Sequence, residues 1–484
     1  MRISEIINRE EYLLSSVDEN LEFSGIKTDV EKLTDRDLLF IISSKKTPDF
    51  SKVKTLPLAV VCDVKTFLPD FLSAIRVENP RLAWANACFR YENFSPNSMK
   101  IIAVTGTNGK TTTATLIKHI LASLGHKVGF IGTGRIEVDG EIISNQNYSM
   151  TTPDPPLLYK SLRQMSERGC DTVVMEVSSH SLALCKLEPL QFDYGVFTNL
   201  SPEHMDFHID MESYFSSKLR LFNKAKCSVF NIDDDYGRRA YNLSDGRKIS
   251  AGILWRGDVW ACNIENRGIC GIDYIYHGKD FSFKMSLPLP GVFNAYNSML
   301  AAAVCIDMGC KPCEVKRALS GAPHIEGRFE VINDKVSVII DYAHTPYAFE
   351  SIFRELMTIK RGQRLTVVFG CGGDRDKTKR PKMAEIAEKY ADRIILTADN
   401  SRNECTKDII TDIIRGFKKG SYEIKEDRAE AIRSAILGAR DGDIVAIIGK
   451  GPEKYNIDKD GYHSFDEKEI VNSALLERGQ VGCV

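Results

Sequence analysis

Short apolar runs rich in β-branched residues recur along this chain. Each ends in polar or glycine-containing residues and is followed by a helical pattern. In the middle of the chain the runs are Ile101–Val104, Val128–Ile131, Thr172–Val177, Tyr194–Phe197 and Ser228–Asn231. Such alternation predicts a mainly parallel, doubly wound sheet. It restarts at Val336–Ile340 and continues through Leu365–Phe369, Arg393–Thr397 and Ile444–Ile448, which predicts a Rossmann-like unit. Near the N-terminus, Leu38–Ile42 and Leu58–Val61 alternate with helical patterns and predict a small α/β domain. The turn-rich segment Tyr91–Met99 reads as a linker, and a second boundary falls near Pro323–Phe329. The expected organisation is an α/β protein of three domains, 1–98, 99–325 and 326–484. Polar strand ends would face interdomain clefts that close by hinge motion. No internal repeat or low-complexity segment is evident.

One run carries more than a strand. Ile101 to Thr105 passes directly into Gly106-Thr107-Asn108-Gly109-Lys110-Thr111-Thr112, and a helical pattern follows from Ala114 to Leu124. This order predicts a strand, a phosphate loop and a helix. Gly106 and Gly109 let backbone N–H groups approach an anion, and the helix N-terminus adds partial positive charge. Lys110 can reach terminal phosphates and the Thr111 hydroxyl can hold Mg²⁺, so ATP is the expected ligand. The common pattern opens on glycine, and here that position is Ala103. A glycine-rich turn without a nucleotide is the competing reading, and the flanking strand and helix weigh against it.

Composition narrows the class without naming a chemistry. The chain has 484 residues, 43% hydrophobic and 27% charged, ordinary globular material for several cores. A net charge of -2 gives no hint of a nucleic-acid partner or an acidic membrane surface. No apolar run is long enough to span a bilayer, and Met1–Asn20 lacks the apolar core of a secretory signal. Thirteen scattered cysteines are expected to be reduced thiols of a cytoplasmic protein. Cys310 and Cys313 have C-x-x-C spacing but no second pair, and are expected to be structural, at a loop-to-helix junction.

Four features follow the loop. Met150-Thr151-Thr152-Pro153-Asp154-Pro155 is a rigid, hydroxyl-rich turn. Met175-Glu176-Val177-Ser178-Ser179-His180 ends a strand and places a carboxylate where it can hold Mg²⁺ directly or through water. Thr198-Asn199-Leu200-Ser201-Pro202-Glu203-His204-Met205-Asp206 follows another strand, and Tyr214 to Phe222, with Lys218, reads as a helix. Singly, each has an ordinary reading: a solvated strand-end acid, a capping histidine, an exposed lysine. Together and in this order they resemble the Mur ligase family. Gly291-Val292-Phe293-Asn294-Ala295-Tyr296-Asn297, Gly327-Arg328-Phe329-Glu330 and Asp341-Tyr342-Ala343-His344-Thr345-Pro346 extend the resemblance, which covers about residues 99 to 456.

The resemblance implies ATP-dependent amide-bond formation: a carboxylate on a UDP-linked precursor is phosphorylated by ATP, and an amino acid's amine attacks the acyl phosphate. It assigns ATP binding to Gly106, Thr107, Asn108, Gly109, Lys110, Thr111, Thr112, Asn294, Asn297, Arg328, Asp341 and His344. Lys110, Glu176, His204 and Lys218 would be catalytic. Metal ligation would fall to Thr111, Glu176, His204 and Lys218, with two Mg²⁺ ions and Lys218 carbamylated by CO₂. Thr151, Thr152, Ser178 and Lys186 would bind the UDP precursor. The implied partners are small molecules only, and the implied state is a monomer.

Three later segments bear on the amine substrate. Gly370 to Lys377, Asp399-Asn400-Ser401-Arg402 and Gly449-Lys450-Gly451-Pro452-Glu453 all follow apolar strands, so they can converge on one cleft. They resemble the MurE type of the family, which adds the third residue of the peptidoglycan stem peptide. By that resemblance Arg375, Asn400, Arg402, Gly449 and Glu453 bind the amino acid. Arg402 would take the distal carboxylate of meso-diaminopimelate, bidentately where geometry allows, and Glu453 its ammonium.

The sequence also departs from the pattern. Ser401 replaces a proline, Pro452 a histidine, Lys186 an arginine and Glu203 an aspartate. The Asp-Ser-Arg expected where the uridine end binds is Asp29-Val30-Glu31 here. Three readings therefore stand. The first is a ligase adding meso-diaminopimelate to UDP-N-acetylmuramoyl-L-Ala-D-Glu. The second is a relative working on another UDP-linked or peptide precursor, as an archaeal pseudomurein peptide ligase or a specialised-metabolite amide ligase would. The third is a nucleotide-binding switch without turnover.

Overall fold

The computed structural model describes residues 1–42, 48–95, 98–144 and 150–481. Three sheets organise them, joined by the segments around 93–99 and 321–329. Pro96 and Asn97 of the expected first linker lie outside the described residues.

The N-terminal sheet has five strands in the order Tyr12–Ser15, Ala74–Val77, Ala59–Cys62, Asp37–Phe40, Gly25–Lys27. All neighbours pair parallel except the first two. The helix Pro80–Glu92 closes the domain, started by Asn79 capping Arg81 and Leu82 N–H and by Pro80 in its first turn. The expected alternation of strands and helices does not hold here. Short 3₁₀ turns, Val30–Lys32 and Phe50–Lys52, and irregular loops link the parallel strands. Pro48 and Pro57 interrupt the second of these links and Pro69 the third, and none of the three links forms an α-helix among the described residues.

The central sheet has eleven strands, and its parallel run extends from Val259–Asn266 to Val128–Gly132. Antiparallel strands extend both edges: Ile272–His277 and Ser282–Leu287 on one side, Arg135–Val138 and Glu141–Ser144 on the other. None of these edge strands was anticipated. In Ile272–His277 the period-two alternation is nonetheless present, with Ile272, Tyr274 and Tyr276 buried and the residues between them half-buried.

The C-terminal sheet runs Glu330–Asn333, Ser337–Asp341, Ile444–Ile448, Leu365–Phe369, Arg393–Leu396, Glu423–Ile424, parallel after the first pair. Helices cover both faces and bury separate apolar layers, around Phe349, Phe353 and Met383 on one side and Ile432, Ile436 and Val471 on the other. A two-stranded hairpin, Tyr455–Asp458 with Gly461–Ser464, stands apart. Cys310 and Cys313 bracket the start of the helix Pro312–Ser320 and are free thiols. No helix among the described residues is long and apolar enough to cross a membrane.

Candidate active site

The strand Lys100–Thr105 lies inside the central sheet because Ile101, Ile102, Ala103 and Val104 are apolar and buried. Its neighbours, Thr172–Glu176 and Phe192–Phe197, both come later in the chain. Strand order reverses at this point, so the loop leaving Thr105 opens into the crevice where such sheets hold ligands.

The loop needs both of its glycines. Gly106 has φ +148°, and a Cβ there would lie 1.9 Å from Thr198 Oγ1. Gly109 caps the helix Lys110–Ser123 in a left-handed conformation, and a Cβ there would lie 2.4 Å from Asn297 Oδ1. The first helical hydrogen bond runs from Thr113 N to Gly109 O, so the N–H groups of Lys110, Thr111 and Thr112 open the helix toward the crevice. Asn199 braces the loop: its backbone oxygen accepts from Thr107 N at 2.9 Å and its side-chain oxygen from Asn108 N at 2.9 Å. Thr198 Oγ1 donates to Asn108 O at 2.6 Å. Among the described residues, Asn108 Nδ2 is buried and has no hydrogen-bond partner, a donor free for an anion. Gly106→Ala is expected to weaken ADP binding by about 5- to 150-fold, because about 1–3 kcal/mol of backbone strain would fall on the loop. Calorimetric titration with ADP measures it, and unchanged affinity would contradict this account of the loop.

Two amines meet on this loop. Lys110 Nζ donates to Gly106 O at 2.9 Å and Thr107 O at 2.8 Å. Lys218, 1% exposed, donates to the same Gly106 O at 2.8 Å and lies 4.9 Å from the Tyr214 ring. Burial lowers the pKa of Lys110 despite Glu203 and Glu176 nearby. Burial, then repulsion from Lys110, holds Lys218 well below an ordinary lysine.

A hard-oxygen corner adjoins them. Thr111 Oγ1 donates to Glu176 Oε2 at 2.8 Å, Thr133 N donates to Oε1 at 3.0 Å, and Arg328 Nη2 donates to Thr111 Oγ1 at 3.2 Å. Among the described residues, no three His, Cys, Asp or Glu side chains gather into a metal cage. One hydroxyl and one carboxylate still fit Mg²⁺, which usually completes its octahedron with water and phosphate oxygens. His204, at φ +58°, packs against His180 with ring centroids 4.8 Å apart. Burial pushes both rings down to about 4, so His204 is neutral, the form that ligates metals.

The C-terminal domain reaches this crevice. His344 Nε2 lies 3.0 Å from Glu203 Oε1. Burial raises the Glu203 pKa, but the His344 bond, His204 and Lys110 outweigh it and hold the carboxyl low. Arg328 lies over the Tyr342 ring at 4.4 Å. Buried Asp341, its pKa raised by desolvation, accepts from Phe329 N and Ala343 N and so fixes the chain beside Arg328. Asn294 and Asn297 point into the protein: Asn294 donates to Pro290 O and accepts from Asn297 Nδ2, and Thr113 donates to Asn297. They buttress the phosphate loop from behind.

Of the four residues expected at the precursor, Thr151, Thr152 and Ser178 gather near Glu176. Thr152 Oγ1 donates to Glu176 O at 3.0 Å and accepts from Ser178 N at 3.1 Å, and Thr133 donates to the Thr151 hydroxyl at 3.2 Å. Lys186 pairs with Asp154 at 2.7 Å.

A second polar cluster lies where three C-terminal strands end. Asn400 is its hub. Its side-chain oxygen accepts from Lys450 Nζ at 2.8 Å and Ile457 N at 2.9 Å, and its Nδ2 donates to Glu453 Oε2 at 2.7 Å. Its backbone oxygen accepts from Arg402 Nη1 at 3.3 Å. Arg402, at φ +52°, also donates to Gly373 O at 2.8 Å. Gly449, at φ +127°, lies against Asp399, and Arg375 is exposed beside Gly372. Burial raises the Glu453 pKa, so an incoming cation would favour its ionised form. Thr133, Thr198, Asn199 and Lys450 were not singled out as site residues in the sequence. Their roles come from contacts with residues distant in the chain.

The Mur ligase middle domain model matches residues 104–305, and the Mur ligase glutamate ligase domain model matches residues 327–451. The chain is 37% identical to UDP-N-acetylmuramoyl-L-alanyl-D-glutamate–2,6-diaminopimelate ligase 1 of Clostridium acetobutylicum, over 99% of this chain and 100% of that one. It is 40% identical to the 2,6-diaminopimelate ligase of the same name from Aquifex aeolicus, over 85% and 84%. A solved UDP-N-acetylmuramoyl-L-alanyl-D-glutamate–2,6-diaminopimelate ligase superposes with a TM-score of 0.68 at 27% identity, covering 99% of both chains.

Proposed function

The chain belongs to the Mur ligase family, and from that premise we propose that it is an ATP-dependent, ADP-forming ligase of the MurE type. It joins meso-diaminopimelate to the D-Glu carboxylate of UDP-N-acetylmuramoyl-L-Ala-D-Glu in peptidoglycan synthesis. The γ-phosphoryl group passes to that carboxylate with release of ADP. The amine then attacks the acyl carbon, and phosphate leaves.

In this reading residues 1–98 hold the uridine end, 99–325 the ATP and 326–484 the amino acid. The loop from Gly106 to Thr112 takes the phosphates, with Lys110 against the terminal ones. Thr111 and Glu176 would hold one Mg²⁺ ion, and His204 with a carbamylated Lys218 a second, and the metal would supply charge neutralisation for the phosphates. The neutral Lys218 amine that burial favours is the form that adds to CO₂, releasing a proton and leaving an anionic carbamate. Arg328, Asp341 and His344 serve the nucleotide from the C-terminal side, with Asn294 and Asn297 behind the loop. Thr151, Thr152, Ser178 and Lys186 line the acceptor's path. We further propose a monomer in the cytoplasm, where ATP and the nucleotide-linked precursor are available.

One observation supports diaminopimelate above all: Asn400 contacts both the Arg402 cation and the Glu453 carboxyl, the pair that a zwitterionic distal end needs. The test is phosphate release with ATP, Mg²⁺ and UDP-N-acetylmuramoyl-L-Ala-D-Glu, comparing meso-diaminopimelate, L-lysine and no amine. Release dependent on diaminopimelate is expected. Release with lysine instead would overturn the role given to Arg402. No release with any amine, from protein that binds ATP, would favour a different acyl precursor, because Asp29-Val30-Glu31 lacks the usual serine and arginine.

A further inference from the structure

The helix Lys379–Tyr390 carries a charge that no reacting group needs. Arg380 is 0% exposed, the largest of the fully buried side chains. Its Nη1 donates to Glu404 Oε2 at 3.0 Å and Asp412 Oδ2 at 2.9 Å. Its Nη2 donates to Glu404 Oε1 at 3.0 Å and to Gly372 O at 3.1 Å. Removing a guanidinium from water is costly, and such a group persists where its fork fixes a geometry.

The geometry it fixes is the join between two loops. Gly372 belongs to the loop that carries Arg375, and Glu404 to the loop that carries Arg402. Glu404 also accepts from Asp374 N at 2.6 Å. Asp374 in turn accepts from Asn403 Nδ2 at 2.7 Å, and Gly373 N donates to Asn400 O at 2.9 Å. The loops are so close that a Cβ on Gly373 would lie 1.9 Å from Ser401 O. Arg402 donates across this seam to Gly373 O. Its aim is therefore set by where the Gly373 loop stands, which matters more here because Ser401 does not stiffen the turn as a proline would. The Arg380 bonds hold Glu404 down to about 2, so the clasp stays charged at any working pH.

We infer that Arg380 and Glu404 are positioning residues for amino-acid selection: they clasp the Arg375 and Arg402 loops together and thereby aim Arg402 at the distal carboxylate of the amino acid. This rests on the reading that Arg402 binds that carboxylate. Neither side chain touches substrate; both act through Arg402.

The test is steady-state kinetics of Glu404→Gln, Arg402→Ala and the double variant, with Asn403→Ala as a milder probe of the same seam. Glu404→Gln is expected to raise KM for meso-diaminopimelate by about 10–100-fold, the usual effect of losing a group that orients a ligand. KM for ATP and for the UDP precursor should stay unchanged, and kcat at saturating diaminopimelate should stay near that of the parent. Because the clasp acts through Arg402, the double variant should be no worse than Arg402→Ala alone. Asn403 is exposed, so its alanine variant should fold and raise the same KM by less. Equal rises in every KM, or additive losses in the double variant, would reduce the clasp to general stability and overturn the inference. A raised KM in Arg402→Ala with none in Glu404→Gln would overturn the clasp alone. An unchanged KM in Arg402→Ala would overturn the reading beneath it, and the clasp with it.

Discussion

Lys218→Ala should lose ligase activity by about 10²-fold or more, and millimolar formate or acetate should restore part of it. The loss follows from where the amine sits. It is fully buried, donates to Gly106 O, and shares that carbonyl with Lys110. Two ammonium groups that share one acceptor in a buried site repel, so one of the pair is better neutral or reversed in sign. In the proposed reading, carbamylation would reverse it and would give a second metal ion an anionic neighbour. A loss of 10² corresponds to about 2.7 kcal/mol of transition-state stabilisation, the size expected when one preorganised electrostatic group is removed. A small carboxylate that enters the vacated space supplies the missing anion. ADP affinity should change little, since the proposed reading assigns the nucleotide to the loop and Lys110. In the parent protein ¹³C-bicarbonate should yield a carbamate carbon signal that the variant lacks. Full activity of the alanine variant would remove Lys218 from the reaction. An inactive variant with no rescue, beside a parent without the carbamate signal, would make Lys218 a plain cation.

Much of this was legible in the chain itself, for a physical reason. Strands buried on both faces, such as Ile101–Val104 and Leu365–Phe369, read as unbroken apolar runs, and the phosphate loop needs glycines at fixed places. In the N-terminal domain Leu38–Ile42 and Leu58–Val61 suggest an α/β alternation, but the links hold 3₁₀ turns and loops: Asp29 caps Val30–Lys32, and Pro48 and Pro57 flank Phe50–Lys52. The edge strand Ile272–His277 alternates only between buried and half-buried positions, and Ser282–Leu287 buries only Met285 and Leu287, a weaker signal than a continuous run. At the site, motif residues were visible and their supports were not. Asn199 braces Asn108 from 91 residues away, and Arg380 grips Asp412 from 32. No local pattern encodes such pairs. The altered Asp29-Val30-Glu31 was legible as a departure, and the fold gives Asp29 a local task, capping the turn Val30–Lys32 through Glu31 N. Relatives nonetheless align across this first domain, so the departure is a change within the fold and leaves its presence intact.

Lys110→Ala should be the more severe loss of the two, and carboxylates should not repair it. Lys110 closes over its own loop through Gly106 O and Thr107 O, with its charge next to Glu203 and Glu176. An arriving triphosphate offers that ammonium far stronger acceptors than two carbonyls, and the bond strengthens as charge moves toward the leaving oxygen. Losing it should cost about 10²–10³-fold in kcat, or about 2.7–4 kcal/mol, and should also weaken ADP binding. A second effect runs through Lys218. With Lys110 gone, the repulsion that helps keep Lys218 neutral disappears, its pKa rises, and less of it is free to take up CO₂. The carbamate signal should therefore weaken in Lys110→Ala although Lys218 is intact. Measuring ADP affinity, turnover with and without acetate, and the ¹³C signal on both variants separates the two amines. Lys218→Ala should keep nucleotide affinity and respond to acetate, whereas Lys110→Ala should do neither. If Lys110→Ala instead keeps ADP affinity and responds to acetate as Lys218→Ala does, then the two amines do one job, and the division of labour argued from their shared carbonyl is wrong.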